Sequence, residues 1–308
     1  MGMIEVKNLT KKFGDVTAVD GLTFNVAEGE VFGLLGPNGA GKTTTIRMLC
    51  CLISSTSGEA QIAGYSIGND ADSLAIRKMI GLVADNVGLY EELTAYENLD
   101  YYGKLYECPE GERKERIEYF LKMLDLWEER DQPVSDFSKG MKQKVAIARA
   151  LIHDPRLLVM DEPTANLDPE ASRVVREFIL KLKKEGKTIL LNTHNLDEAQ
   201  RICDRIGILK TKLLTVNTPD ELEKSVWGTK SVIQVESISP RILTAVMELK
   251  PKDLRVEENR IILTLADPQA ENPDFVQAIV SAGGRIQFVT QLNPGLEETY
   301  LKVIEETK

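Results

Sequence analysis

The stretch VFGLLGPNGAGKTT, Val31 to Thr44, decides how the rest of the chain is read. Its first half is a near-continuous apolar run of strand length. Its second half satisfies G-x-x-x-x-G-K-[ST] from Gly36 to Thr43, and a helix-length segment follows. That order is what phosphate binding needs. Glycines let backbone N–H groups point inward, and the helix N-terminus adds positive potential. The cradle comprises Gly36, Pro37, Asn38, Gly39, Ala40, Gly41, Lys42, Thr43 and Thr44. Lys42 supplies a point charge for the β- and γ-phosphates, and Thr43 supplies a hydroxyl for Mg²⁺. A glycine-rich turn with no ligand would not need strand, helix and Lys-Thr in this order.

Outward from this loop, short apolar runs alternate with helical patterns from Met3 to about Val216. Ile4 to Leu9 and Leu22 to Val26 show strand-like alternation. VFGLLG, LLVMD and TILLNT are apolar throughout, as in strands covered on both faces. Glu112 to Leu126 and Ser138 to Ile152 have helix length, and Val145, Ala148, Leu151 and Ile152 share one face of the latter. The expected fold class is α/β, with a mainly parallel central sheet. LLVMDEP also ends a strand on two acids. Asp161 is placed to hold Mg²⁺ through its water shell, and Glu162 to polarise an attacking water. An acidic pair after a strand is common as a solvated turn. Following a phosphate loop in the same sheet, it is far more specific.

Composition narrows the partners. The 308 residues carry a formal net charge of -10, so a nucleic-acid partner would need a concentrated basic face to overcome repulsion. Nucleic acid is not expected. Cys50, Cys51, Cys108 and Cys203 form no CxxC pair, and His153 and His194 are the only histidines. A zinc site or disulfide scaffold is therefore not expected, and a reduced, cytosolic compartment fits. No apolar stretch approaches the ~18 residues of a membrane span. The N-terminus lacks the apolar core of a signal peptide.

From about Val226 the character changes. SVIQVE reads as a strand, and SPRILTAVMEL as a helix with Ser239 as cap and Pro240 first. DLRVEE and RIILTL read as a hairpin, then NPDFVQAIVSAGG as a helix and RIQFVT as a strand. A charged helix, Leu296 to Glu306, follows. The order βαββαβ is the ferredoxin-like pattern. Two domains are expected, residues 1–225 and 226–308.

With FSKGMKQKVAIARALIHDPRLLVMDEPTANLDP between Phe137 and Pro169, the chain resembles the ATP-binding subunit of an ABC transporter over about Met3 to Ser225. The resemblance implies the P-loop NTPase cassette, with a helical subdomain at about residues 88–153. FSKGM stands where the family carries its LSGGQ signature. Ser138 and Gly140 match, and they imply contact with the γ-phosphate held by a partner subunit. Lys139 and Met141 depart from the family pattern. Ser138 also reads as an ordinary helix N-cap. Lys142, Lys144 and Arg149 read as a solvated face. Asp168 matches the dimer-contacting acid, and His194 the switch histidine at the γ-phosphate. Phe13 matches the aromatic that stacks on adenine, or it is core.

The family carries a glutamine near Mg²⁺ where this chain, aligned on Gly88-Leu89-Tyr90, has Asp85. That acid is either a metal ligand or a loop residue facing solvent. The resemblance further implies a head-to-tail dimer around two ATPs, with itself or a paralogous ATPase subunit. Separate transmembrane subunits would hold it at the cytoplasmic face of the cell membrane. Tyr90, Tyr96, Tyr101, Tyr102 and Tyr106 would form the aromatic docking region or pack within the subunit. The run GLYEELTAYENL and the tail resemble exporters of drugs, antibiotic peptides or polysaccharides. A DNA-repair ATPase would need a coiled-coil insertion, and a ribosome-associated one normally has two cassettes. A degenerate nucleotide sensor is the other alternative.

Overall fold

The computed structural model describes residues 2–84, 88–165, 167–292 and 295–306. Asp85 lies outside the described residues. The chain divides into two compact units, residues 1–218 and 219–308.

The first unit opens on β1 (Ile4–Phe13) and β2 (Val16–Val26), then β3 (Val31–Leu35), the phosphate loop and α1 (Lys42–Leu49). β4 (Ser57–Ile62), β5 (Tyr65–Ser66), α2 (Asp70–Met79) and β6 (Ile80–Val83) follow. A helical stretch comes next, of α3 (Ala95–Leu105), α4 (Glu110–Met123) and α5 (Lys139–Leu151). The chain then runs through β7 (Leu157–Asp161), α6 (Pro169–Lys184), β8 (Thr188–Asn192), α7 (Leu196–Ile202), β9 (Arg205–Lys210) and β10 (Lys212–Asn217).

The central sheet has the order β10-β9-β3-β8-β7-β6. β6, β7, β8, β3 and β9 are mutually parallel, and only β10 pairs antiparallel. Every residue of β3, β7 and β8 is buried. This explains their unbroken apolar runs, because helices and a second sheet leave no wet face. The second sheet, β2-β1-β4-β5, is antiparallel. Its Ile4, Leu9, Leu22 and Val26 pack into one core with Phe32, Leu34 and Ile46.

Helix ends follow their caps. Ser138 caps α5 and accepts the Met141 N–H at 3.2 Å. Thr94 and Glu97 close a capping box on α3. The expected solvated face of Lys142, Lys144 and Arg149 is corrected by packing. Lys144 is buried, and Lys142 pairs with Glu91 at 2.8 Å. Arg149 donates to the carbonyls of Gly88 and Leu82 and lies over the Tyr102 ring.

The second unit comprises α8 (Pro219–Trp227), β11 (Thr229–Val235), α9 (Pro240–Glu248), β12 (Asp253–Glu257), β13 (Arg260–Leu265), α10 (Pro268–Ser281), β14 (Ile286–Leu292) and α11 (Gly295–Glu305). Its sheet has the order β12-β13-β11-β14, all antiparallel. Ile233, Val235, Ile261 and Leu263 meet Ile242, Val246, Phe275 and Ile279 of α9 and α10 in a separate core. The division falls after Thr218 rather than after Ser225, because α8 is tied to α11. Trp227 donates its indole N–H to Thr299 at 3.0 Å, and Lys302 donates to the Val226 carbonyl. α10 starts before the expected Asn272, capped by Asp267 with Pro268 at its first position.

Candidate functional site

The carboxyl ends of the central strands meet the phosphate loop, where open α/β sheets bind ligands. A cavity of about 420 Å³ is lined by Phe13, Ala18, residues 38–44, Glu162 and Asn192. The loop's backbone is dictated by two glycines. A Cβ at Gly36 would stand 2.2 Å from the Leu209 carbonyl oxygen. Gly41 has φ +99, and its Cβ would lie 2.4 Å from the Ala18 oxygen. Lys42 folds back over the loop and donates to the carbonyls of Gly36 at 2.6 Å and Pro37 at 3.1 Å. Burial pulls its ammonium below the ordinary lysine value, while Glu162 and Asp161 pull it back up. Thr43 is exposed at the loop's end.

Across the cavity, β7 and β8 end in register, with Asp161 beside Asn192. The Asn192 amide donates to the buried Asp161 carboxylate, leaving the buried Oδ1 of Asn192 with no hydrogen-bond partner among the described residues. Glu162 turns out of the strand with φ +52, a conformation non-glycine residues rarely hold. Its N–H donates to the Asn192 carbonyl at 2.9 Å. The Glu162 carboxylate lies 2.8 Å from His194 Nδ1 and accepts the His194 N–H at 3.4 Å. That contact favours the Nδ1–H tautomer, leaving Nε2 as an acceptor. Lys42 and Glu162 thus line one cavity, and the His194 imidazole is tied to it through Glu162. This set can hold a triphosphate and orient a water.

Phe13 is 51% exposed, which removes the core reading and leaves a ring at the cavity edge under Lys11. Ser138, Gly140 and Asp168 form a separate group. Gly140 is buried, and a Cβ there would lie 3.1 Å from the Ala171 Cβ and 3.9 Å from Asp168 Oδ2 and Ser138 Oγ. Among the described residues, none of these three lines the phosphate-loop cavity. Sequence reasoning missed Asn192, Thr164, Thr193 and Glu198. Only Asn192 carried a usable signal, since it ends β8 as Asp161 ends β7.

The residues present suit a hard divalent cation. Thr43 and Asp161 offer a hydroxyl and a carboxylate, the oxygen donors that such a cation takes.

Fold and site together define a phosphate-loop ATPase with a second antiparallel sheet beside its parallel one. Residues 19–165 match the ABC transporter family. The chain is 34% identical to the linearmycin resistance ATP-binding protein of Bacillus subtilis (strain 168), covering 99% of both chains. It is 37% identical to the Nod factor export ATP-binding protein I of Rhizobium sp. (strain N33), over 97% of this chain and 96% of that one. Among solved structures, the ATP-binding subunit of an ABC transporter superposes with TM-score 0.67 at 34% identity, covering 72% of this chain and 92% of that one. A dimeric ATP-binding cassette in a post-hydrolysis state, bound to ADP and Pi, superposes with TM-score 0.64 at 31% identity, over 70% and 98%. The chain belongs to the ABC transporter family, as an ATP-binding subunit. It is an ABC transporter ATPase.

Proposed function

We propose that the chain hydrolyses ATP at two composite sites in a head-to-tail dimer, and that this cycle drives export through separate transmembrane subunits. The observation that carries the reading is the separation of Ser138, Gly140 and Asp168 from the cavity holding Lys42 and Glu162. One copy's signature group then completes the other copy's nucleotide site. A bridging γ-phosphate adds contacts in the closed dimer that the open one lacks, so ATP shifts the equilibrium to closure. Its loss on hydrolysis reverses the shift. The dimeric relative bound to ADP and Pi supports this arrangement.

In each site the phosphate-loop amides and Lys42 hold the β- and γ-phosphates, and Phe13 stacks on adenine. Glu162 orients and polarises the attacking water, and His194 contacts the γ-phosphate from the adjacent strand end. Thr43 and Asp161 would hold Mg²⁺, which would supply positive charge to offset that of the phosphates.

Docking to the membrane subunit falls to the helical region, about residues 88–153. Beside it lies a cavity of about 280 Å³ lined by Leu52, Ile80, Leu82, Tyr102, Tyr106, Arg149 and others. Tyr90, Tyr101 and Tyr106 of the helical region are exposed, and Tyr106 also lines this cavity. Among the described residues no helix is long and apolar enough to cross a membrane, which is in keeping with separate spans. The protein would then sit at the cytoplasmic face of the membrane. The export direction rests on the near full-length resistance and export relatives. The second unit is a ferredoxin-like accessory domain in this reading, supported by its βαββαβ order with β11 central.

The Glu162→Gln variant tests the chemistry. It is expected to bind ATP, accumulate as a dimer in gel filtration with ATP, and lose about 100-fold or more in kcat. Hydrolysis at the normal rate would show that Glu162 is not the base.

A further inference from the structure

Behind the paired Glu162 and His194 lies a carboxylate that the proposed chemistry does not use. Glu198, on α7, is 1% exposed. Its backbone N–H is held by the Asn195 cap at 3.1 Å. Its Oε2 accepts from the Thr164 hydroxyl at 2.8 Å and from the Thr193 hydroxyl at 3.4 Å. Thr164 sits in the turn that begins at Glu162, closed by the Ala165 N–H donating to the Glu162 carbonyl at 3.1 Å. Thr193 directly precedes His194, and its hydroxyl also accepts the Asn195 N–H at 3.0 Å. One oxygen therefore collects a hydroxyl from each of the two segments that carry the pair.

Burial pushes the Glu198 carboxyl above the usual carboxylate range, and the Thr164 hydroxyl and the Arg176 charge pull it back. Its Oε1 has no hydrogen-bond partner among the described residues. Arg176, Asp197 and Arg201 line a neighbouring cavity of about 200 Å³ with it. A carboxylate buried this deeply is unfavourable for folding alone, since an apolar side chain of similar volume would fill the space without desolvation. What it supplies is direction. The backbone at Glu162 is strained, φ +52, and Thr164, two residues on in the same turn, ties that turn to Glu198.

We propose that Glu198 is a positioning residue for ATP hydrolysis: its buried carboxylate clamps the Glu162 turn to the His194 loop through the hydroxyls of Thr164 and Thr193. Without the clamp the phosphate loop still binds nucleotide, but Glu162 and His194 no longer share one geometry about the γ-phosphate. The inference rests on the roles proposed above for Glu162 and His194.

The test uses the full chain with Glu198→Ala, Glu198→Gln, Thr164→Val, Thr164→Ser and the double variant Thr164→Val with Glu198→Ala. kcat, the KM for ATP, ADP affinity and melting temperature are measured for each, with Glu162→Gln alongside. Misplacement of a catalytic group by about 1 Å costs about 100-fold, so Glu198→Ala is expected to lower kcat 10- to 100-fold. KM and ADP affinity stay within about two-fold. Glu198→Gln, whose amide oxygen still accepts a hydroxyl, and Thr164→Ser, which keeps one, retain most activity. The double variant is no slower than Glu198→Ala, because the two residues share one interaction.

A Glu198→Ala protein that is folded and within two-fold of the parent kcat overturns the clamp, as do additive effects in the double variant. Should Glu198→Ala fail to fold, the Thr164→Val and Thr164→Ser pair decides alone: equal kcat in both overturns the proposal. If Glu162→Gln keeps hydrolysing, the reading of the site itself is what fails. If Glu162→Gln is inactive and Glu198→Ala is not, only the clamp fails.

Discussion

At the residue scale, the loop's geometry hangs on where a β-carbon can exist. Gly39 and Gly41 both have positive φ, +79 and +99, yet their surroundings differ. A Cβ at Gly39 meets nothing within 4 Å, whereas at Gly41 it would be 2.4 Å from a backbone oxygen. Gly39→Ala is expected to cost only the left-handed backbone penalty, ~1–2 kcal/mol. Gly41→Ala adds a collision with immovable backbone where the first helical amides face the phosphates. It should abolish nucleotide binding as followed by a fluorescent ATP analogue, while Gly39→Ala weakens it modestly. Equal losses in the two variants would contradict the packing argument. The motif announced both glycines, but only the fold shows that one is limited by Ala18, which lies on β2.

At the element scale, the segment just beyond α5 carries a pH-sensitive joint. His153 stacks on Tyr106 with ring centroids 3.8 Å apart and an interplanar angle of 7°. Its Nε2 lies 3.2 Å from the Ile80 carbonyl, while the buried Nδ1 has no partner among the described residues. Burial lowers its pKa to about 4 from the 6.5 of a free imidazole. Between those values the unfolded chain binds the proton and the folded chain does not. Its neutral form is therefore fully compatible with the fold above pH 6.5, and stability is lost as pH falls from there towards 4. The full loss, reached once the pH is below both values, is ~3 kcal/mol, from about 2.5 pH units at about 1.4 kcal/mol each. In urea unfolding across this range, His153→Phe should flatten the decline while keeping a ring against Tyr106. An unchanged slope would mean that other groups set it. Nothing in the bare sequence marks His153, because its stacking partner is the residue that caps α3, far away in the chain.

At the scale of the whole molecule, the proposed head-to-tail dimer would separate the two halves of each site between copies. Lys42→Ala removes the phosphate ligand, and Ser138→Ala removes the signature hydroxyl. Ser138→Ala also costs ~1 kcal/mol of helix capping. Each variant alone is expected to be inactive. When they are mixed and allowed to exchange, one site of every mixed dimer regains both intact halves while the other loses both. Recovered ATPase activity, up to about a quarter of the parent level for equal random mixing of independent sites, would mark the shared site. No recovery would argue for sites contained within one copy.

Much of this was legible in the chain itself, because local physics leaves local marks. The strand-glycine-helix order around Lys42 follows from what a phosphate needs of backbone amides. The unbroken apolar runs of β3, β7 and β8 follow from burial on both faces. The Asp161-Glu162 pair stands out because charge at the end of an apolar strand is conspicuous. What sequence could not supply is proximity between segments. Lys144 reads as a solvated charge, but packing buries it. Phe13 reads equally as core, but it is exposed at the cavity rim. Thr164, Thr193 and Glu198 carry no motif that marks them as a set, since a hydroxyl or carboxylate takes its role from neighbours brought in by other strands. Residue type and spacing determined the phosphate chemistry. Tertiary structure decided which side chains surround it, because only the folded chain brings Thr164 and Thr193, next to the ends of β7 and β8, against Glu198 on α7.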